Sequence, residues 1–581
     1  MIGSNRKGDR MKNRILCLLL VFALMLGVCG MLASCGDKPV EEEVIPVNPE
    51  DLPEADRNNS KYYEYTWSTT TLNVELSEHS CKDELIPRVR RYLAGQDADA
   101  NEDIDVDIRT RNNNADKVAR TKINWTYLQD IDEYAWGKNI SRIANESQSY
   151  SEKSADIYIN FIYDMVGAQL QGAFANLRST TMPNSAGKNF FEFTAADYDA
   201  VKDDKGYMYD LMNSLSFSTK KMYVLTSDYL TDVVRAFFIV PVNISMINSI
   251  DVTTVSQYDY DQNGVFDIED FFNIIWKNNW NYDAVKVLSN AVAKQVGEEP
   301  DQLADTHGFV LGTSDSGIHG VGILYGSDVT IIKRTLNTAT GFYEVEYPAE
   351  AGVYGEFCDA LASLFQSNGV TGITKDGTGK NYASDVIRML FANDQVLFGG
   401  NICAGNLEQP EYQNMKSRED GGFGVAPVPM YRPFDESIDI DANGENRYYR
   451  TASHNIAKCA GISVATTKFK QCSAWLDYQS THSTDILNDY YETKLQYAIA
   501  GGSSNNVEVL EMLRQNVSTA LDKCYDDAIT NYFNAGGERW CALIKTYKFI
   551  PLTIRTDYKE AVELKKGYLK EIQNKYDSLP E

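Results

Sequence analysis

Histidine is scarce, with five in 581 residues, at 79, 307, 319, 454 and 482. No HExxH and no GxSxG motif occurs, so a zinc hydrolase and a nucleophile elbow both lack their residues. Gly377-Thr378-Gly379-Lys380 is missing the first Gly and the Ser/Thr of a phosphate loop and reads as a flexible turn. Usable cysteine is scarce too. Of ten, Cys17 and Cys29 fall in an N-terminal apolar segment and Cys35 directly follows it, leaving Cys81, Cys358, Cys403, Cys459, Cys472, Cys524 and Cys541. An odd number spread over a long chain with no CxxC pair excludes a disulfide scaffold and a zinc cluster, and these thiols read as small buried apolar groups. No internal repeat is visible.

Positive charge is the next shortage. Without its first 34 residues the chain keeps 547, of which 50 are basic and 81 acidic, a net charge near −31. Such a balance repels phosphate backbones, so nucleic acid is excluded as a partner, and neutral solutes, cations and basic proteins remain. A length of 547 exceeds what one core usually holds, so two lobes are expected.

What is present begins at the N-terminus. Lys12 and Arg14 precede an apolar run from Ile15 to Val28, too short for a spanning helix and flanked as a signal peptide is. It ends in Leu32-Ala33-Ser34-Cys35, which resembles the lipobox of bacterial lipoproteins. That resemblance implies cleavage before Cys35, acylation of its thiol (palmitate being one such chain) and a protein held on the outer face of the cell membrane by lipid. Residues 36–61 are acidic and Pro-bearing with little to bury, and they read as a tether.

Thr71 to Leu76 (TLNVEL) alternates as a strand, Asp83 to Leu93 has helical spacing, and Lys122 to Leu128 (KINWTYL) reads as a second strand, which predicts a parallel α/β layer. Ala98 to Asp107 reads as an acidic loop and Ile131 to Ser149 as helix. Ala155 to Leu177 (ADIYINFIYDMVGAQLQGAFANL) reads as a buried strand, a polar turn and a helix. With its Tyr163-Asp164 pair this segment resembles the second βα unit of extracellular sugar-binding proteins of the maltose-binding type, family 1 solute-binding proteins of ABC transporters. Later pieces follow in the same order: Arg235 to Asn243 (RAFFIVPVN) as the crossing to a second lobe, Trp280 to Ala293 as a helix near that lobe's start, and Phe391 to Asn406 as a strand and ligand-facing loop. Gly422 to Pro429 (GFGVAPVP) follows as a turn, Lys458 to Ser480 as the return crossing and helix, and Tyr490 to Leu495 in the C-terminal helical region.

The resemblance implies an α/β two-lobe fold of the periplasmic-binding-protein type II, lobes joined by crossing strands. On that frame residues 1–34 are the signal peptide, 35–61 the anchored tether, 62–238 the first part of lobe 1, 239–455 lobe 2, and 456–581 the return to lobe 1 with C-terminal helices. It further implies a chain without catalysis of its own that captures a sugar, oligosaccharide or other small solute and delivers it to ABC transporter permease subunits. Tyr163, Asp164, Asn243 and Asn401 are the ligand-binding candidates. A polar pair at the carboxyl end of a parallel strand sits where open α/β sheets bind ligands, and a helix cap by Asp164 is the competing reading. The 36 tyrosines offer flat apolar faces with polar tips, which suit sugar rings as well as ordinary cores. Two other functions stay open. A surface glycoside hydrolase needs only an acid pair, which 81 acids readily supply; a calcium-dependent adhesion or scaffold lipoprotein would bind a protein instead.

The sharpest local motif is Asp259-Tyr260-Asp261-Gln262-Asn263-Gly264-Val265-Phe266-Asp267-Ile268-Glu269-Asp270. Oxygen side chains at positions 1, 3, 5, 9 and 12, Gly at 6 and a carbonyl from Val265 match a calcium loop of the EF-hand or dockerin type, with Asp259, Asp261, Asn263, Val265, Asp267 and Asp270 as ligands. The alternative is an Asp/Asn/Gly turn that binds nothing. Asp439 to Gly444 starts similarly but meets Arg450 where an acid is needed, and it reads as a hairpin turn.

Overall fold

A computed structural model describes residues 68–77, 103–128, 138–179, 206–230, 235–298, 301–312, 332–346, 352–373, 383–416, 422–453, 457–489, 504–518 and 569–580, save for single positions within these spans and with a few residues between them. Cys35, the tether, Asp83 to Leu93 and Tyr490 to Leu495 lie outside the described residues. No described helix is long and apolar enough to cross a membrane.

The architecture is α/β and rests on two sheets. The first contains β1 (Thr70–Ser77), β2 (Thr121–Leu128), β3 (Ile157–Phe161) and β13 (Lys458–Ile462), in the spatial order β13-β3-β1-β2. β1 runs parallel to both β2 and β3, and β13 is antiparallel to β3. The period of two in β1 puts Leu72, Val74 and Leu76 on one fully buried face. All five residues of β3 are buried, as expected of a strand covered on both faces. The joint between β1, β3 and the return strand is polar. Asp156, with no exposed surface, takes the Asn73 N–H and the Lys468 ammonium on Oδ2, each at 2.9 Å, and the Tyr150 and Thr466 hydroxyls on Oδ1, each at 2.6 Å.

The second sheet holds β4 (Phe238–Asn243), β5 (His307–Gly312), β8 (Val370–Ile373), β9 (Val396–Phe398), β10 (Ile402–Cys403) and β11 (Phe423–Ala426). Its order is β10-β4-β9-β5-β8, with β11 also on β4. β5 is parallel to β8 and β9, while β4 is antiparallel to β9, β10 and β11. Helix Tyr282–Val292 lies so close on β5 that a Cβ at Gly308 would stand 2.1 Å from the Ser289 Cα, so only glycine fits. Behind the sheet, Phe271, Trp280 and Phe398 form an aromatic cluster with ring centroids 5.0–5.8 Å apart. The Trp280 Nε1–H donates to the Pro427 carbonyl at 2.8 Å.

The chain passes from the first sheet to the second and back by two segments lying side by side. Phe237 pairs antiparallel with Ser453, next to β12 (Thr451–Ala452), and the Thr451 hydroxyl both accepts from the Phe238 N–H and donates to its carbonyl, at 3.0 Å.

Between β5 and β8 a hairpin, β6 (Lys333–Asn337) and β7 (Phe342–Glu346), leaves the second sheet. It docks on residues 213–219 through Tyr343 N–H to the Phe217 carbonyl (2.9 Å), Thr219 N–H to the Gly341 carbonyl (2.9 Å) and Arg334 Nη1 to the Asn213 carbonyl (2.8 Å). That segment continues to Leu225, which pairs with Ala460 of β13 in the first sheet. The C-terminal residues close over the same place: Gln573 Nε2–H donates to the Tyr343 carbonyl at 2.7 Å, and Lys221 Nζ to the carbonyls of Asp577 and Leu579 at 2.8 and 2.5 Å.

Several local expectations change. Residues 103–107 of the expected acidic loop belong to helix Asp103–Val118. Phe423–Ala426 is a strand, since pairing with β4 satisfies the backbone of a Gly/Pro-flanked stretch that reads as a turn. Asp439 to Gly444 does close a tight turn, with Gly444 at φ +84° and Ile440 bridged to Asn446. The described cysteines, 358, 403, 459 and 472, are buried.

Candidate functional site

Each sheet has a point where the chain's progression reverses. In the first, β2 and β3 lie on opposite sides of β1; in the second, β8 and β9 lie on opposite sides of β5. Ligands of open α/β sheets bind outside the carboxyl ends of strands at such points. Tyr163 and Asp164 stand at the first of them. β3 enters helix Ile162–Gln169 with no intervening turn, so both lie in its first turn, buried (3% and 1% exposed). Asp164 does not cap the helix: the N-cap is Phe161, with no side-chain cap bond. Its Oδ2 instead accepts from Asn139 Nδ2–H at 3.1 Å, Asn139 Oδ1 accepts from Arg142 Nε–H at 3.2 Å, and the Arg142 guanidinium forks onto Glu75 of β1 at 2.7 and 2.9 Å. A relay of side chains thus ties the Asp164 carboxylate to the central strand.

Asn401 follows the carboxyl end of β9, the matching position in the second sheet, and is fully buried, its Cβ close beside Gly322. Asn243 does not belong with it. β4 is antiparallel to β9, with Val242 opposite Phe398 and Ile239 opposite Ile402, so Asn243 ends β4 at the edge where the parallel strands begin. Its amide is also committed there: Oδ1 caps helix Ile244–Asn248 through Met246 N–H at 3.1 Å, and Nδ2 donates to the Phe391 carbonyl at 3.1 Å and Asp394 Oδ1 at 2.8 Å. The crossing itself lies earlier, at Phe237.

Sequence reasoning missed Ser77. It ends β1, adjacent to the β1/β3 reversal, and its buried hydroxyl has no hydrogen-bond partner among the described residues. The signal was legible as the polar residue closing the TLNVEL alternation. Hydroxyl, carboxylate and amide at these edges are groups that orient a polyhydroxylated or otherwise polar solute by hydrogen bonds.

The Asp259–Asp270 loop lies apart in the chain from these edges, after the helix that Asn243 caps. Gln262 and Gly264 take positive φ (58° and 79°) to turn it sharply. Carboxylate oxygens of Asp259, Asp261 and Asp270 come within 4.8 Å of one another. Asp267 instead caps helix Ile268–Trp276, accepting from the N–H groups of Glu269 (2.9 Å) and Asp270 (3.2 Å). The Asn263 amide is engaged inside the loop, with Oδ1 on Val265 N–H at 2.7 Å and Nδ2 on Asp261 Oδ2 at 2.8 Å. Three of the six expected ligands are therefore brought together by their side chains.

No protein-family model matches the chain, and no curated protein sequence matches it. Among solved structures it is similar to the sugar-binding protein MalE of Xanthomonas citri, at 9% identity over 87% of this chain and 98% of that one, TM-score 0.46. It is similar also to the galacto-N-biose/lacto-N-biose I-binding protein of an ABC transporter from Bifidobacterium longum, at 9% identity over 86% and 97%, TM-score 0.45. A third is the extracellular solute-binding protein of Staphylococcus aureus in complex with maltose, at 12% identity over 86% and 97%, TM-score 0.44.

Proposed function

We propose that this chain is a solute-binding protein of an ABC importer, anchored outside the cell membrane through a lipid on Cys35, that holds a sugar or oligosaccharide and passes it on unchanged. The observation that carries the reading is the double crossing between two α/β sheets, each with its strand reversal and with polar side chains at the carboxyl edges: Ser77 and Asp164 in one, Asn401 in the other. The signal-peptide-like apolar run, the lipobox resemblance of Leu32 to Cys35 and the tether-like segment after it support the extracellular placement, and the ordered sequence resemblance supports the ligand class.

The test is a thermal-shift screen of mono- and oligosaccharides with product analysis on the same samples, because a ligand bound to the native state raises the midpoint by mass action. The expected outcome is a rise with one sugar class and no new products. Release of shorter sugars would favour the hydrolase, and no rise with any solute would remove the binding role. With the responding sugar, Ser77→Ala should weaken affinity about twofold to tenfold, the range for one lost neutral hydrogen bond. In cells, Cys35→Ala should release the protein from the membrane fraction.

A further inference from the structure

The Asp270 side chain is 2% exposed. Its Oδ1 accepts the Tyr260 N–H at 3.0 Å, but its buried Oδ2 has no hydrogen-bond partner among the described residues. An ionised oxygen held this way is costly, and a carboxylate oxygen of Asp270 lies within 4.8 Å of oxygens of two more carboxylates, those of Asp259 and Asp261. The loop nonetheless holds its partners in place. Asn263 N–H donates to Asp259 Oδ1 at 3.2 Å and Asp261 Oδ1 at 3.0 Å, and Gly264 N–H to Asp259 Oδ2 at 3.1 Å.

We infer that the Asp259, Asp261 and Asp270 carboxylates form a calcium site that locks the loop onto the second sheet. The group that lacks a partner is an anionic oxygen, so its natural complement is a hard cation. Three carboxylates with no His or Cys among them select against zinc and other soft metals. Calcium accepts oxygens at 2.3–2.6 Å in irregular number, whereas magnesium demands near-ideal octahedral geometry and gives up water reluctantly, so a turn with irregular ligands suits calcium. The consequence for the protein is mechanical. Asp270 precedes Phe271, whose ring packs on Trp280 at 5.2 Å and on Phe398 of β9 at 5.8 Å. A cation shared by the loop and Asp270 joins the exposed turn directly to that aromatic cluster.

The experiment uses the full chain stripped of metal and calcium alone as the probe. Calorimetry should find one saturable site with Kd at or below about 1 mM, the upper end for extracellular calcium modules. The melting midpoint should be higher in calcium than in chelator, with a smaller rise in magnesium. Asp261→Ala, in the exposed part of the loop, should remove the heat and the calcium-dependent rise without unfolding the chain. Asp270→Asn should weaken calcium on the order of tenfold through the lost ligand charge. In chelator it should melt above wild type, because the buried charge is gone. A purely structural carboxylate would give no such reversal. No saturable calcium heat with a midpoint indifferent to chelator overturns the site, as does calcium binding by both variants at wild-type affinity.

Discussion

The two sheets are held together by different means. The first is assembled from pieces far apart in the chain, 70–161 and 458–462, and its joint is a buried carboxylate, Asp156, with four donors. The second comes from one continuous run, 238–426, and its joint is the Phe271, Trp280 and Phe398 rings. Pieces that meet across three hundred residues have many alternative ways to collapse, and a carboxylate that must find four donors accepts only one of them. A continuous run meets itself early, and burial alone suffices. Polar satisfaction thus provides uniqueness in one sheet, while apolar area provides most of the stability in the other.

The contrast is breakable. The largest effect should come from Trp280→Ala, about 3–5 kcal/mol for an aromatic core truncation, with amide exchange accelerating in β4, β5 and β9 before β1 to β3. Equal acceleration in both sheets would mean that they unfold as one unit and that the contrast has no energetic content. Asp156→Asn should cost less, about 1–3 kcal/mol, since Lys468 keeps partial access to water and an amide oxygen still accepts from some donors. Its signature should be exchange confined to β1, β3 and β13. A cost matching Trp280→Ala would move the first sheet's stability into its ionic joint.

The smallest change sharpens the comparison through pH. Burial raises the Asp116 carboxyl to about 6, against the lowering effect of its 3.0 Å bond from Trp475 Nε1–H. A folded-state value above the unfolded one means that the folded chain binds the proton more tightly. The resulting stability is present below about pH 4 and is lost as pH rises to about 6. Asp116→Asn should flatten that slope and gain on the order of 1–2 kcal/mol at pH 7 after allowance for partial solvation. Denaturation from pH 4 to 7 checks it.

Much of the fold was legible because alternation and burial coincide: TLNVEL and KINWTYL are strands in the structure within a residue or two. Direct entry of β3 into its helix was hidden, since a Tyr-Asp pair looks like a turn until a relay through Asn139 and Arg142 accounts for its burial. The β6–β7 hairpin was missed because none of its side chains is buried and they carry no core pattern. Asn243 was misplaced for a geometric reason: which edge a residue occupies depends on strand direction, and composition carries no record of direction. Ser77 was overlooked because a single terminal serine gains meaning only beside the β1/β3 reversal.

The hairpin also bears on how the molecule moves. Because β6 and β7 leave from between two strands of the second sheet and end on residues bonded to the first, they act as a stay bridging the two parts. Any rotation that separates the sheets must carry residues 213–219 and the C-terminal residues with the hairpin, or break the bonds from Tyr343, Thr219, Arg334 and Gln573 together. A stay of this kind limits how far the two sheets can part to the slack in its own bonds and connections.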